Sequence, residues 1–169
     1  MTMVHLEWHG PYGLKDLKAL CRAGVDYGVY QIYGKHALYG PHCLLYIGKA
    51  ECQTFGVRIA QEGWEDNRDA NNLQIYVGRM GGMEPPSMEG FAQLLDQVES
   101  LLIYAHGPAC NAAKLKSLPE MQPRLRVLNW GCFRDLMPEV SAERWNGQHW
   151  NLAGYALYSR PDNPQPETL

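Results

Sequence analysis

Residues 27–48 read YGVYQIYGKHALYGPHCLLYIG, two runs of aromatic and branched side chains separated by a turn-forming stretch. YGVYQIY (27–33) and LLYIG (44–48) have the composition of strands, and the GKHALYGPHC between them, with two glycines and a proline, predicts a long hairpin loop over 34–43. A sheet therefore starts here. Working upstream, LKDLKALCRAG (14–24) spaces Leu14, Leu17, Leu20 and Cys21 at helical intervals and stops at Gly24, while MTMVHLEWHGPYG reads as a leading loop. Downstream, FGVRIAQEG (55–63) predicts a short helix halted by Gly63, and LQIYV (73–77) alternates like a third, half-buried strand.

RMGGMEPPS (79–87) interrupts that strand, and Ser87 offers its hydroxyl as the cap of a long helix over about 88–106. Phe91, Leu94, Leu95, Val98, Leu101, Leu102 and Ala105 make one apolar stripe on it. Glu99 falls at the margin of the stripe, about 80° round from Phe91 at 100° per residue, where its carboxylate is half sheltered. From Asn111 onward the chain offers a short strand (RVLN), a helix broken near Pro138 and the aromatic RWNGQHWNLAGYALY. The fold class expected is α/β (α+β), a small three-stranded mixed or antiparallel sheet flanked by helices. One domain over 1–159 accommodates it, with 112–159 as a C-terminal extension and RPDNPQPETL (160–169) as a frayed tail.

At 169 residues, 46% apolar and 20% charged, the chain can bury a core without staples. No apolar run reaches the roughly 18 residues of a membrane span, and the N-terminus lacks signal-peptide order, so the expectation is a cytoplasmic protein with no membrane partner. Five cysteines without a C-x-x-C pair argue against a disulfide framework and a zinc ribbon. The net charge of −3 is unevenly spread. Acids concentrate in 62–72 and 84–99, whereas 112–146 carries Lys114, Lys116, Arg124, Arg126, Arg134 and Arg144, which allows a locally basic face. Lys114, Lys116, Arg124 and Arg126 are accordingly the candidate nucleic-acid contacts.

Several chemistries find no anchor. His5 and His9 stand four apart, but Gly10 and Pro11 oppose a helix there; no G-x-x-x-x-G-K phosphate loop and no G-x-S-x-G elbow is present. What remains is an ordered series: Gly28-Val29-Tyr30, then Tyr46-Ile47-Gly48-Lys49-Ala50, then Arg58, then Glu99, Pro108 and Asn111 within QVESLLIYAHGPACN (97–111). Tyrosines on neighbouring strands, one cation a helix away and one sheltered carboxylate suit a phosphodiester. The acid can hold a hard divalent ion on oxygen, and a guanidinium can grip phosphate oxygens as charge builds. A phenol near that ion and Lys49 is expected to have its pKa lowered from about 10, which makes it a general base for water.

In this combination the sequence resembles the GIY-YIG nuclease family over residues 27–111. The resemblance implies a DNA endonuclease that uses Mg²⁺, with Mn²⁺ as a substitute. It implies Glu99 as metal ligand, Arg58 as phosphate clamp, Tyr30 and Tyr46 as water-activating or phosphate-contacting phenols, Lys49 as auxiliary cation, and Asn111 as the tie between helix end and site. Which tyrosine takes the proton stays open, as does a homodimer. The tyrosines stand 16 apart and Arg58 lies 12 after Tyr46, both longer than the family's usual spacing. Glu62 occupies the position four after the arginine, where the family commonly has histidine or tyrosine. Either Glu62 points away and Tyr33, His36 or His42 substitutes, or the activity is weak. The competing expectation is an inactive nucleic-acid-binding or protein-interaction module that keeps the fold. Trp130, Trp145 and Trp150 could form a dimer interface or stack on unpaired bases, but a place in the core is favoured.

Overall fold

A computed structural model describes residues 2–82, 87–117 and 124–145. The chain opens with β1 (Thr2–Tyr12) and a 3-10 helix (Leu14–Leu20), followed by β2 (Gly28–His36), β3 (Gly40–Ala50) and α1 (Phe55–Ala60). Then come β4 (Gln74–Gly81), the long α2 (Met88–His106), β5 (Leu125–Gly131), β6 (Glu139–Ser141) and the short α3 (Ala142–Trp145). The mixed α and β composition agrees with expectation, but the sheet is larger. Among the described residues it has six strands in the order β3-β2-β4-β1-β5-β6, not three. β1 runs parallel to β5, and the other neighbouring pairs are antiparallel.

The extra width comes from the N-terminus. Val4, Leu6 and Trp8 are buried while His5, Glu7 and His9 are not, so the segment taken as a leading loop has the two-residue alternation of a strand with one covered face. Its partners β4 and β5 lie far along the chain, and Trp8 Nε1 donates across 121 residues to Asn129 Oδ1 at 2.8 Å. The hairpin loop expected over 34–43 is mostly strand, because β2 and β3 stay paired out to His36 and Gly40. β4 likewise continues through Arg79–Gly81. No helix breaks near Pro138; Pro138 O instead accepts from Asn129 N, and β6 follows. The expected tail over 160–169 and Trp150 lie outside the described residues.

Each sheet face has its own cover. α2 lays Leu95, Val98, Leu101 and Leu102 on one face, against Val29, Ile47, Leu6 and Val127. On the other, the 3-10 helix and α1 bring Leu20, Phe55 and Ile59 onto Tyr30, Ile32 and Val77. α2 starts at Ser87, whose hydroxyl accepts from Gly90 N, and closes at Gly107 in the left-handed conformation (φ 56°). All five cysteines are free thiols. No helix among the described residues is long and apolar enough to cross a membrane.

Candidate active site

β3 is the outer strand at its end of the sheet, so side chains from both faces meet round its edge. On the α1 face, Tyr30 pairs with Gly48 and Ile32 with Tyr46, which sets the two phenols side by side with ring centroids 6.2 Å apart. Gly48 permits this. A β-carbon there would lie 2.5 Å from Tyr30 Oη and 2.7 Å from the Tyr46 ring. α1 buries Phe55 and Ile59 and leaves Arg58 on its outer side, with Glu62 one turn further on. Gly63, left-handed at φ 71°, then turns the chain so that Trp64 folds back over Tyr46 at 5.6 Å.

Glu62 stands at the centre of this group. Its Oε1 accepts from Tyr30 Oη at 2.6 Å and pairs with Arg58 Nη2 at 3.1 Å, and its Oε2 accepts from Trp64 Nε1 at 2.9 Å. So Glu62 does not point away. Nor do the suggested substitutes arrive: Tyr33 faces the α2 side, where its hydroxyl donates to Gln31 Oε1 at 2.9 Å, His36 stacks on Tyr39 at the hairpin tip, and His42 is exposed near the start of β3. Ordinary strand alternation places Tyr33 there, since Val29 and Tyr33 line the α2 face while Tyr30 and Ile32 line the other.

Across the strand edge lies a second group. Glu99 is buried on α2, and Lys114 reaches its Oε2 at 2.7 Å while also holding Asp96 Oδ1 at 3.0 Å. Lys49 joins Asp96 at 3.1 Å and Glu51 at 2.8 Å. Burial opposes the charge of Asp96 and of Lys49, but the ion pairs outweigh it, lowering the Asp96 pKa and raising that of Lys49. Asn111 closes the edge itself, accepting from Ile47 N at 3.0 Å and donating to Ile47 O at 2.9 Å. Ala109 N and Cys110 N bond to Leu44 O and Leu45 O just before it, so the segment after α2 runs as a partial edge cover on β3.

Tyr30, Tyr46, Arg58, Glu99, Lys49 and Asn111, spread over more than eighty positions, thus gather around one strand. Comparisons with family models, with curated proteins and with solved structures find no match.

Three expectations change. First, neither phenol is made more acidic by its surroundings. Burial and the Glu62 carboxylate push Tyr30 far above the ordinary phenol range, and burial, Glu62 and Glu99 push Tyr46 up to about 12. Lys49 does not counter this because Glu51 and Asp96 hold it. Second, the four basic residues do not form one face. Lys114 turns inward to carboxylates and Lys116 is exposed. Arg124 and Arg126 sit at β5, four places away from β3 in the sheet, paired loosely with Glu139 and Glu143 at 3.5–3.8 Å. Third, Glu62 and Trp64 are members of the site that motif spacing did not assign. The i,i+4 relation of Arg58 and Glu62 was the available signal.

For a divalent ion the donor set is sparse. Among the described residues no three His, Cys, Asp or Glu side chains cluster as ligands. One buried carboxylate is still compatible with an ion that keeps most of its waters and takes phosphate oxygens for the rest. Lys114 also pairs with Asp96, so it would keep a partner if Glu99 turned to an ion.

Proposed function

We propose that the chain is a metal-dependent endonuclease of GIY-YIG type, acting in the cytoplasm and hydrolysing DNA phosphodiester bonds with a tyrosine-activated water. The observation that carries the reading is the meeting of two phenols, a guanidinium and a buried carboxylate around the β3 edge. Arg58, about two-fifths exposed, is able to offer its fork to a phosphate. Glu99 would hold Mg²⁺ or Mn²⁺, which when bound screens phosphate charge. Asn111 positions β3, and Lys49 would serve as an auxiliary cation at the α2 side only on leaving Glu51 and Asp96.

Plasmid, linear duplex and single-stranded DNA, each with Mg²⁺ and with chelator, test this. Wild type is expected to cleave in Mg²⁺ only, and Glu99→Ala and Arg58→Ala to be slowed by about 10²–10³-fold, as for loss of other groups that stabilise transition-state charge. Absence of cleavage by wild type, or full activity in Glu99→Ala, rejects the reading. One observation favours the inactive module instead: Arg58 and Glu99 are both already paired, with Glu62 and Lys114. That alternative gives salt-dependent DNA binding without turnover.

A further inference from the structure

We propose that Glu62 is the proton acceptor of this site and that Tyr46, rather than Tyr30, is the phenol that meets the attacking water, an inference that rests on the nuclease reading. Tyr30 is fully buried and its hydroxyl proton is committed to Glu62 Oε1 at 2.6 Å. It has no path to solvent. Tyr46 lies on the outer strand, is partly exposed, and has its ring 6.2 Å from that of Tyr30 and 5.6 Å from that of Trp64, both of which donate to Glu62. Glu62 therefore acts on it from one side of the edge and Glu99 from the other. Of the two phenols, it alone is open to a water molecule between the carboxylates.

Glu62 is held as a positioned base is held. Tyr30, Arg58 and Trp64 converge on both of its oxygens, which prevents the carboxylate from swinging out toward solvent, and its side chain is only 12% exposed. A phenol that stays protonated at neutral pH cannot activate water alone; it needs somewhere to pass its own proton. A water O–H bond breaks and its proton goes to Tyr46 Oη, as the Tyr46 hydroxyl proton passes to Glu62. The hydroxide forms the new P–O bond, the P–O bond to the leaving oxygen breaks, and solvent protonates that oxygen. Glu62 then returns its proton through Tyr46 to water. On this account the acid at position 62 is the proton sink that keeps a buried phenol usable, and Tyr30 is a positioning residue that acts through Glu62.

Steady-state cleavage of a DNA duplex by the full chain in Mg²⁺ tests the assignment. Glu62→Gln is expected to lower kcat by about 100-fold or more without raising KM, within the usual range for general-base loss. Tyr46→Phe is expected to match it, and the double variant to be no slower than either single, because the two groups act as a unit. Tyr30→Phe should cost less than about tenfold, since Arg58 and Trp64 still hold Glu62. Should Glu62→Gln fail to fold by circular dichroism, Tyr46→Phe carries the test, because it removes a single hydroxyl from a partly exposed side chain. A Glu62→Gln protein that cleaves as fast as wild type or faster overturns the proposal and makes Glu62 a competitor with phosphate for Arg58, while leaving the nuclease reading intact. Tyr30→Phe as damaging as Tyr46→Phe overturns the choice of tyrosine. A wild type that cleaves nothing removes the nuclease reading and this inference together.

Discussion

The two ends of the sheet handle charge in opposite ways. Around β2, β3 and β4 each pair is short and has a sheltered carboxylate: Glu99 with Lys114 at 2.7 Å, Glu62 with Arg58 at 3.1 Å, and the fully buried Asp26 with Arg79 at 2.5 Å. Around β5 and β6, Arg124 and Arg126 meet Glu139 and Glu143 at 3.5–3.8 Å with every side chain at least a third exposed. Water already satisfies the second set, whereas the sheltered carboxylates of the first rely on their partners. A single substitution is therefore felt at the first end and not at the second, which separates the end suited to chemistry from the end that only carries surface charge.

The largest effect should come from Asp26→Asn, which leaves Arg79 facing a neutral amide at the start of β2. A loss of about 3–5 kcal/mol is expected from breaking a buried pair, read by urea denaturation at pH 7. Acid should erase that contrast. Burial opposes the Asp26 charge, but Arg79 and Arg22 outweigh it and hold its pKa below the usual value. A depressed folded-state pKa contributes stability that is present above the unfolded value of about 3.9 and is lost as pH falls through the folded value. Wild type and Asp26→Asn should therefore converge in stability once the pH falls below the depressed folded-state value of Asp26; a gap that persists there would mean that packing, not charge, sets the difference.

Next in size is Gly48→Ala. Its added carbon collides with both phenols, and overpacking of this kind costs about 1–3 kcal/mol, visible as a lower melting temperature together with slower cleavage. Asn111→Ala removes two hydrogen bonds to Ile47 and should cost about 1–2 kcal/mol, with faster amide exchange at Ile47 as its specific mark. Smallest are Arg124→Ala and Arg126→Ala, each expected within about 0.5 kcal/mol of wild type. If either weakened DNA binding as strongly as Arg58→Ala, the contrast between the two ends would fail as a guide to function.

Much of the fold was legible. The strand runs at 27–33, 44–48 and 73–77, the short helix at 55 and the Ser87-capped α2 all stand where local composition and periodicity put them. Glu99 lies at the stripe margin as its helical angle requires, though it is more buried than half sheltered because Lys114 covers its carboxylate. β1 was hidden by its histidines and its Gly10-Pro11, which resemble loop chemistry even while Val4, Leu6 and Trp8 alternate. Glu62 was seen only as a departure from a pattern; its engagement by Tyr30 and Trp64 depends on how the turn at Gly63 folds back.

From the sequence alone come the elements that neighbouring residues encode, because hydrophobic period, caps and turn residues act over a few positions. The order of the strands, the closure of the β3 edge by Asn111 and the capture of Glu62 were decided only in the folded molecule. Those features join groups separated by 32 positions for Tyr30 and Glu62, 64 for Ile47 and Asn111, and 121 for Trp8 and Asn129. Contacts at such separations form only once the chain has closed its loops, and their register is set by which faces must be buried together.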